Sequence, residues 1–318
     1  MLLVQILLII LITALYIMQN LFSRLYTDNY PSDKSHASPI LAICNGVAVP
    51  LCALFFSGFT FSEFNPTTLV LGLANAIVLF FYYESLIRAS ATGSYSIMMV
   101  FNVGGGIIIP ALLSTLAFGA DFSYVKLIAI IIIVVAVYLV TLRKSEDISS
   151  TASGSHSVAL FLVICAVLAV ANGTYATLFD AQRLFAPGDS QGHMMIIYTF
   201  GGAGLLSFVR LLVTKKRETL SAFRQTKRSL GFLIGAVTVS ALAANVLVLL
   251  LELEIDMTLM VTFDNAGVMV GSALVSALLF KERLTKVNII GICMMTVALC
   301  MSGGSAVIES FIAGLFGA

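Results

Sequence analysis

Ten apolar stretches, each close to the length of a bilayer-spanning helix, fill most of this chain: 2–23, 38–58, 66–87, 93–117, 124–142, 157–178, 192–213, 230–251, 257–280 and 286–304. At 1.5 Å of rise per residue, about 20 apolar residues cross the hydrocarbon of a membrane. Lipid offers backbone N–H and C=O groups no partners, and a helix satisfies them within the segment. Runs such as Leu127 to Val137 do not alternate as barrel strands do. The expected fold is an all-α polytopic membrane protein with ten transmembrane helices. Composition agrees. Hydrophobic residues make up 59% and charged residues 10%, against about 25% charged in a soluble domain. That excludes a water-soluble enzyme and a disordered chain. A net charge of +1 gives no basis for a nucleic-acid partner.

The first stretch has no basic leader and no A-x-A cleavage site, and it is expected to be a retained span rather than a signal peptide. Ser305 to Ala318 form a short C-terminal tail, too short to cross. The connections are short, and none is long enough for a soluble domain. RKSEDISSTASGSH (143–156), rich in Ser, is expected to be a linker between two units, 1–142 and 157–304. The five cysteines, Cys44, Cys52, Cys165, Cys293 and Cys300, all sit in apolar runs without CxxC spacing or a nearby His. They are expected to be buried thiols, not disulfides or a metal site.

The two units echo one another. An offset of 163 residues sets Gly72 on Gly235, Asn102 on Asn265 and Gly104 on Gly267, and FNVGG (101–105) on DNAGV (264–268). Earlier in each unit an offset of 159 sets Tyr16 on Tyr175, and Arg24-Leu25-Tyr26 on Arg183-Leu184-Phe185. Five spans per unit is an odd number, so the second unit enters the membrane the other way up. Two inverted five-helix repeats are therefore expected, an architecture that places a solute site at the repeat interface near mid-membrane.

SALLFKERLTKVNIIGICMMTVALCMS (276–302) and FYYESLIRASATGSYSIMMVFNVGGGIIIPALL (81–113) resemble the drug/metabolite transporter superfamily, EamA type. The first is similar to that family's closing pattern of a span, a turn with Glu-Arg-Leu, and a Gly-containing last span. The family's early Trp-Gly has no counterpart in LYIMQN (15–20), and its Glu-Pro pair is missing from the fourth and ninth spans. The resemblance implies a solute transporter with both termini in the cytoplasm; it does not carry a substrate.

Charge implies the opposite orientation. With loops assigned to alternate sides, fifteen Lys and Arg fall on one side and two, Lys126 and Arg183, on the other. The basic side is expected to face the cytoplasm, leaving both termini outside. TKKRETLSAFRQTKR (214–228) is a topology determinant on this reading, with anionic lipid head groups as a further partner.

No HExxH, P-loop or GxSxG occurs, and no catalytic or metal-binding residue is expected. The informative residues are polar ones inside spans. Asp264 stands about eight residues into the ninth stretch, roughly 12 Å deep. A carboxylate at that depth must face protein or water. It can load and release protons there, or serve as a structural tie between helices; the sequence leaves both open. Asn265 follows it, and Asn102 is the counterpart of Asn265 in the fourth stretch. Tyr16 and Asn20 in the first stretch pair with Asn172 and Tyr175 in the sixth, and Tyr83, Asn245 and Tyr198 lie at mid-span. These ten residues are the expected solute contacts. Glu84 and Arg88, four apart, read as an interfacial ion pair.

The expectation is thus a multi-pass protein of the cell membrane: a secondary transporter of small organic solutes working by alternating access, with proton coupling through Asp264, no cofactor and a homodimer as a possible assembly. An ion-conducting channel is the alternative.

Overall fold

The computed structural model of the chain describes residues 2–31, 34–59, 63–118, 123–142, 155–188, 190–214, 223, 225–253, 257–281, 285–305 and 308–311. Among these there is no strand. The helices are α1 (Leu2–Asp28), α2 (Ala37–Phe56), α3 (Pro66–Thr92), α4 (Tyr95–Phe118) and α5 (Tyr124–Leu142), then α6 (Ser155–Phe185), α7 (Gln191–Thr214), α8 (Lys227–Glu252), α9 (Met257–Leu278) and α10 (Lys286–Gly303), with a 3-10 turn at Lys34–His36. Each apolar stretch of the sequence lies on one of them. Most of the 143–156 linker, most of the basic 214–228 segment and part of the C-terminal tail lie outside the described residues.

Local chemistry sets several helix ends. Asn65 caps α3 by accepting from the Thr67 and Thr68 amides, and Pro66 occupies the first turn, where its missing N–H costs nothing. Thr285 and Asn288 form a reciprocal capping box at the start of α10. Six helices, α1, α2, α3, α6, α7 and α8, are long and apolar enough to cross a membrane. They are the first three of each unit. The described apolar runs of α4, α5, α9 and α10 are shorter.

The surface is the inverse of a soluble protein's. Leu7, Ile10, Val47, Phe55, Ile131, Val163 and Val213 point outward, while Asn45, Asn75, Thr199, Asn245 and Ser272 are buried. That arrangement suits a membrane-embedded protein, because lipid takes the apolar face and protein must satisfy the polar groups. It also corrects the expectation of five buried thiols. Cys165 is buried, Cys44 and Cys52 are partly so, and Cys293 and Cys300 on α10 are exposed. An apolar run does not say which of its faces meets lipid.

Helix packing follows a two-fold pattern. When the units are exchanged, α1 on α8 becomes α6 on α3, α4 on α6 becomes α9 on α1, and α3 on α7 becomes α8 on α2; all six pairings are present. The helices α2 and α7 pack on each other, as do α5 and α10, and α4 and α9. At the α2–α7 crossing a Cβ on Gly46 would stand 2.7 Å from the Gly204 Cα, and one on Gly204 would stand 2.8 Å from the Gly46 Cα. Backbones at that separation admit no side chain. Gly105 and Gly173 do the same between α4 and α6, where a Cβ on either would collide with the facing backbone. The pattern has an exception. Gly72 abuts Tyr198 on α7, whereas Gly235 abuts Phe22 on α1, so these two glycines of the 163-residue offset do not make equivalent contacts.

Two apolar clusters flank the middle of the bundle. Ile40, Val49, Ile87, Met195 and Phe200 belong to the one around α2, α3, α7 and α8. Met98, Ile133, Phe161, Leu168 and Met295 belong to the other, around α4, α5, α6 and α10.

Candidate functional site: a central polar cavity

Between those clusters lies a cavity of about 150 Å³, walled by α1, α3, α4, α6, α7, α8 and α9. On α1, Tyr16 and Asn20 face it, with Ile12 and Gln19 beside them; on α6, Asn172, Tyr175 and Phe179 do so. At the 159-residue offset Tyr16 corresponds to Tyr175 and Asn20 to Phe179, so matching stripes of two helices both line it. Tyr82 and Tyr83 come from α3, Asn102 and Gly106 from α4, Phe200 from α7, Ser240 from α8, and Asp264 and Asn265 from α9. A Cβ on Gly106 would stand 3.0 Å from the Asn172 Nδ2 and 3.6 Å from the Asn265 Oδ1. That glycine therefore leaves room for the two asparagines.

Asp264 is half-buried and accepts a hydrogen bond of 3.0 Å from the Thr13 Oγ1. Among the described residues no Lys, Arg or His lines the cavity, and no salt bridge reaches Asp264. Thr13 and Asn172 correspond at the 159-residue offset, and both tie their helix to a neighbour. Asn172 donates from Nδ2 to the Asn102 carbonyl at 2.8 Å, joining α6 to α4 as Thr13 joins α1 to α9. Asn20 donates from Nδ2 to the Tyr16 carbonyl at 2.9 Å. The Asn20 and Asn102 Oδ1 atoms are buried with no hydrogen-bond partner. Tyr175 stacks against Phe179 and Phe200, with ring centroids 5.0 and 6.5 Å apart.

Eight of the ten expected contact residues line this cavity: Asp264, Asn265, Asn102, Tyr16, Asn20, Asn172, Tyr175 and Tyr83. Asn245 and Tyr198 do not. Asn245 turns its amide back to the Ala241 carbonyl of its own helix at 2.8 Å, and Tyr198 packs on Gly72. Position along a helix does not say which way a side chain faces around it. Phe179, Phe200, Ser240 and Thr13 were not singled out from the sequence. Thr13 was findable as the counterpart of Asn172, and Phe179 as that of Asn20; Phe200 carries no signal that separates it from lipid-facing phenylalanines.

The two arginines that correspond at the 159-residue offset differ in their contacts. Arg24, near the end of α1, donates to the carbonyls of Ser90 and Gly93 at the α3–α4 junction, pairs with Asp28 at 3.1 Å and stands over the Phe280 ring. Arg183, its counterpart on α6, pairs with Asp180 of its own helix, 3.1 Å away, and is largely exposed. Likewise α1 packs on α3, while no comparable packing joins α6 and α8 among the described residues. Glu84 pairs with Arg88 as expected and also with Arg210 of α7. Arg210 lies within α7, where it has a carboxylate and the Phe80 ring as partners.

No protein-family model matches this chain, and no curated protein does. A solved structure described as "Crystal structure of protein" is similar over 94% of this chain and 95% of its own length, with a TM-score of 0.57 and 12% identity. At that identity the likeness concerns the fold alone.

Proposed function

We propose that this chain is a multi-pass transporter of small organic solutes, built as ten transmembrane helices in two inverted five-helix repeats and belonging to the drug/metabolite transporter superfamily, EamA type. The observation that carries the reading is the central cavity, walled by corresponding helices of both units and holding one carboxyl group with no cationic partner among the described residues. The exchange pattern of the packing supports the repeat. With five helices in each unit, the two would be inverted and related by an axis in the membrane plane.

The unequal contacts of Arg24 and Arg183 support alternating access. In an inverted repeat the second state arises when the two units exchange conformations. On this reading Arg24 and the α1–α3 contact would close one end, and Arg183 with α6 and α8 would close the other. Proton coupling falls to Asp264, which can take up a proton when the cavity faces one side and release it to the other.

The deciding experiment is a solute-accumulation screen with the purified chain in sealed vesicles, with and without a pH gradient. A transporter concentrates a solute beyond equilibrium when the gradient is imposed. A channel only equilibrates it, and that outcome would replace this reading with the ion-conducting one. Orientation is tested separately. The fifteen-to-two charge bias puts the basic end in the cytoplasm, so a C-terminal reporter active only in the cytoplasm is expected to stay silent. An active reporter would reverse the assignment.

A further inference from the structure

We propose that the cavity takes a small organic cation bearing N–H donors, a primary ammonium, in preference to a neutral solute, an anion or a zwitterion. This rests on the reading of the cavity as a solute site. The argument is an inventory of donors and acceptors. The Thr13 hydroxyl is committed to Asp264, the Asn20 amide nitrogen to the Tyr16 carbonyl, and the Asn172 amide nitrogen to the Asn102 carbonyl. A backbone carbonyl can only accept, so those contacts fix which way the Asn20 and Asn172 amides point. Among the described lining groups three acceptors are then left without a donor, beside the Tyr and Ser240 hydroxyls and the Asn265 and Gln19 amides, which can donate as well as accept. The second Asp264 oxygen has no described partner, and the Asn20 and Asn102 Oδ1 atoms are more than nine-tenths buried without a donor.

An ammonium group supplies three donors and a positive charge, which matches that set. The faces of Tyr16, Tyr82 and Tyr175 add a surface that attracts cations. A neutral alcohol offers a single donor and no charge. A quaternary ammonium has the charge but no N–H, so the asparagine oxygens stay unmet. A carboxylate, free or in an amino-acid zwitterion, would find no Lys, Arg or His among the described lining residues.

The test is calorimetric titration of the purified full chain in detergent at neutral pH with four probes of one shape: phenethylamine, phenethyl alcohol, phenylacetate and trimethyl(phenethyl)ammonium. The primary amine is expected to bind at least about tenfold more tightly than the alcohol and phenylacetate, with the trimethyl compound below it by about threefold or more. In Asp264→Asn the amine's advantage over the alcohol should shrink to less than about threefold. If that variant does not elute as a single species, the ranking of the four probes on the native chain decides alone. The proposal is overturned if the alcohol or phenylacetate equals the amine, if the trimethyl compound surpasses it, or if the amine does not bind. Amine binding without accumulation of any solute in vesicles would keep the cation site and remove transport. Accumulation of other solutes without amine binding would do the reverse.

Discussion

Asp264→Asn is expected to abolish accumulation driven by a pH gradient. The asparagine keeps the size of the side chain and can still accept the hydrogen bond from Thr13, so the α1–α9 tie survives. What it loses is ionisation. A site that cannot exchange a proton cannot convert a proton gradient into a solute gradient, and the concentration ratio across sealed vesicles should fall to one. Exchange of labelled for unlabelled solute should persist once the concentration is raised enough to fill the weakened site. A variant that still concentrates solute in response to pH would remove Asp264 from the coupling step. A variant that is degraded before it reaches the membrane would assign Asp264 to packing.

Gly105→Val is expected to have the second largest effect, on the fold rather than on transport. A Cβ there meets the Ala169 backbone, not the mobile tip of a side chain. Overpacking costs about 1–3 kcal/mol where neighbours can yield, and a backbone wall puts this case at the upper end. That corresponds to a fall of roughly 4–5 °C in the unfolding midpoint, at about 1.5 °C per kcal/mol for a chain of 318 residues. Gly201→Val is the control, because nothing stands within 4 Å of its Cβ position; its midpoint should stay close to that of the parent chain. Equal midpoints for the two variants would mean that α4 and α6 do not cross as closely as described.

The helices were legible because the bilayer imposes one length and one hydrogen-bonding rule, and both leave a plain trace in the order of residues. All ten stretches lie on helices, although α3 and α6 run on to Thr92 and Phe185, past the expected ends at 87 and 178. Polar interruptions of the apolar runs were legible too: Asp264, Asn102 and Tyr175 were read from the sequence as solute contacts, and all three line the cavity. Rotation about the helix axis was not legible. In a soluble helix the polar face marks the outside, but here Asn245 and Tyr175 are equally polar interruptions of apolar runs, and only one of them faces the space. The same ambiguity hid Phe179 and Phe200 inside the wall and sent Cys293 and Cys300 to the wrong side of α10. Internal comparison resolves part of it. Thr13, an unremarkable residue by itself, acquires meaning once it is aligned with Asn172.

Arg24 engaged and Arg183 idle give the molecule a resting posture. Each charge-assisted hydrogen bond contributes about 1.5–3 kcal/mol, and Arg24 makes two such bonds to carbonyls that Arg183 has no described equivalent for. In the proposed cycle, an unloaded carrier would therefore spend most of its time with the basic face shut. Solute arriving from the opposite face would meet a ready cavity, whereas solute on the basic face would wait for a rare opening. Its apparent affinity would be lowered by the fraction of time that opening is populated. One protein would thus show two different half-saturation concentrations, one for each side of the same membrane.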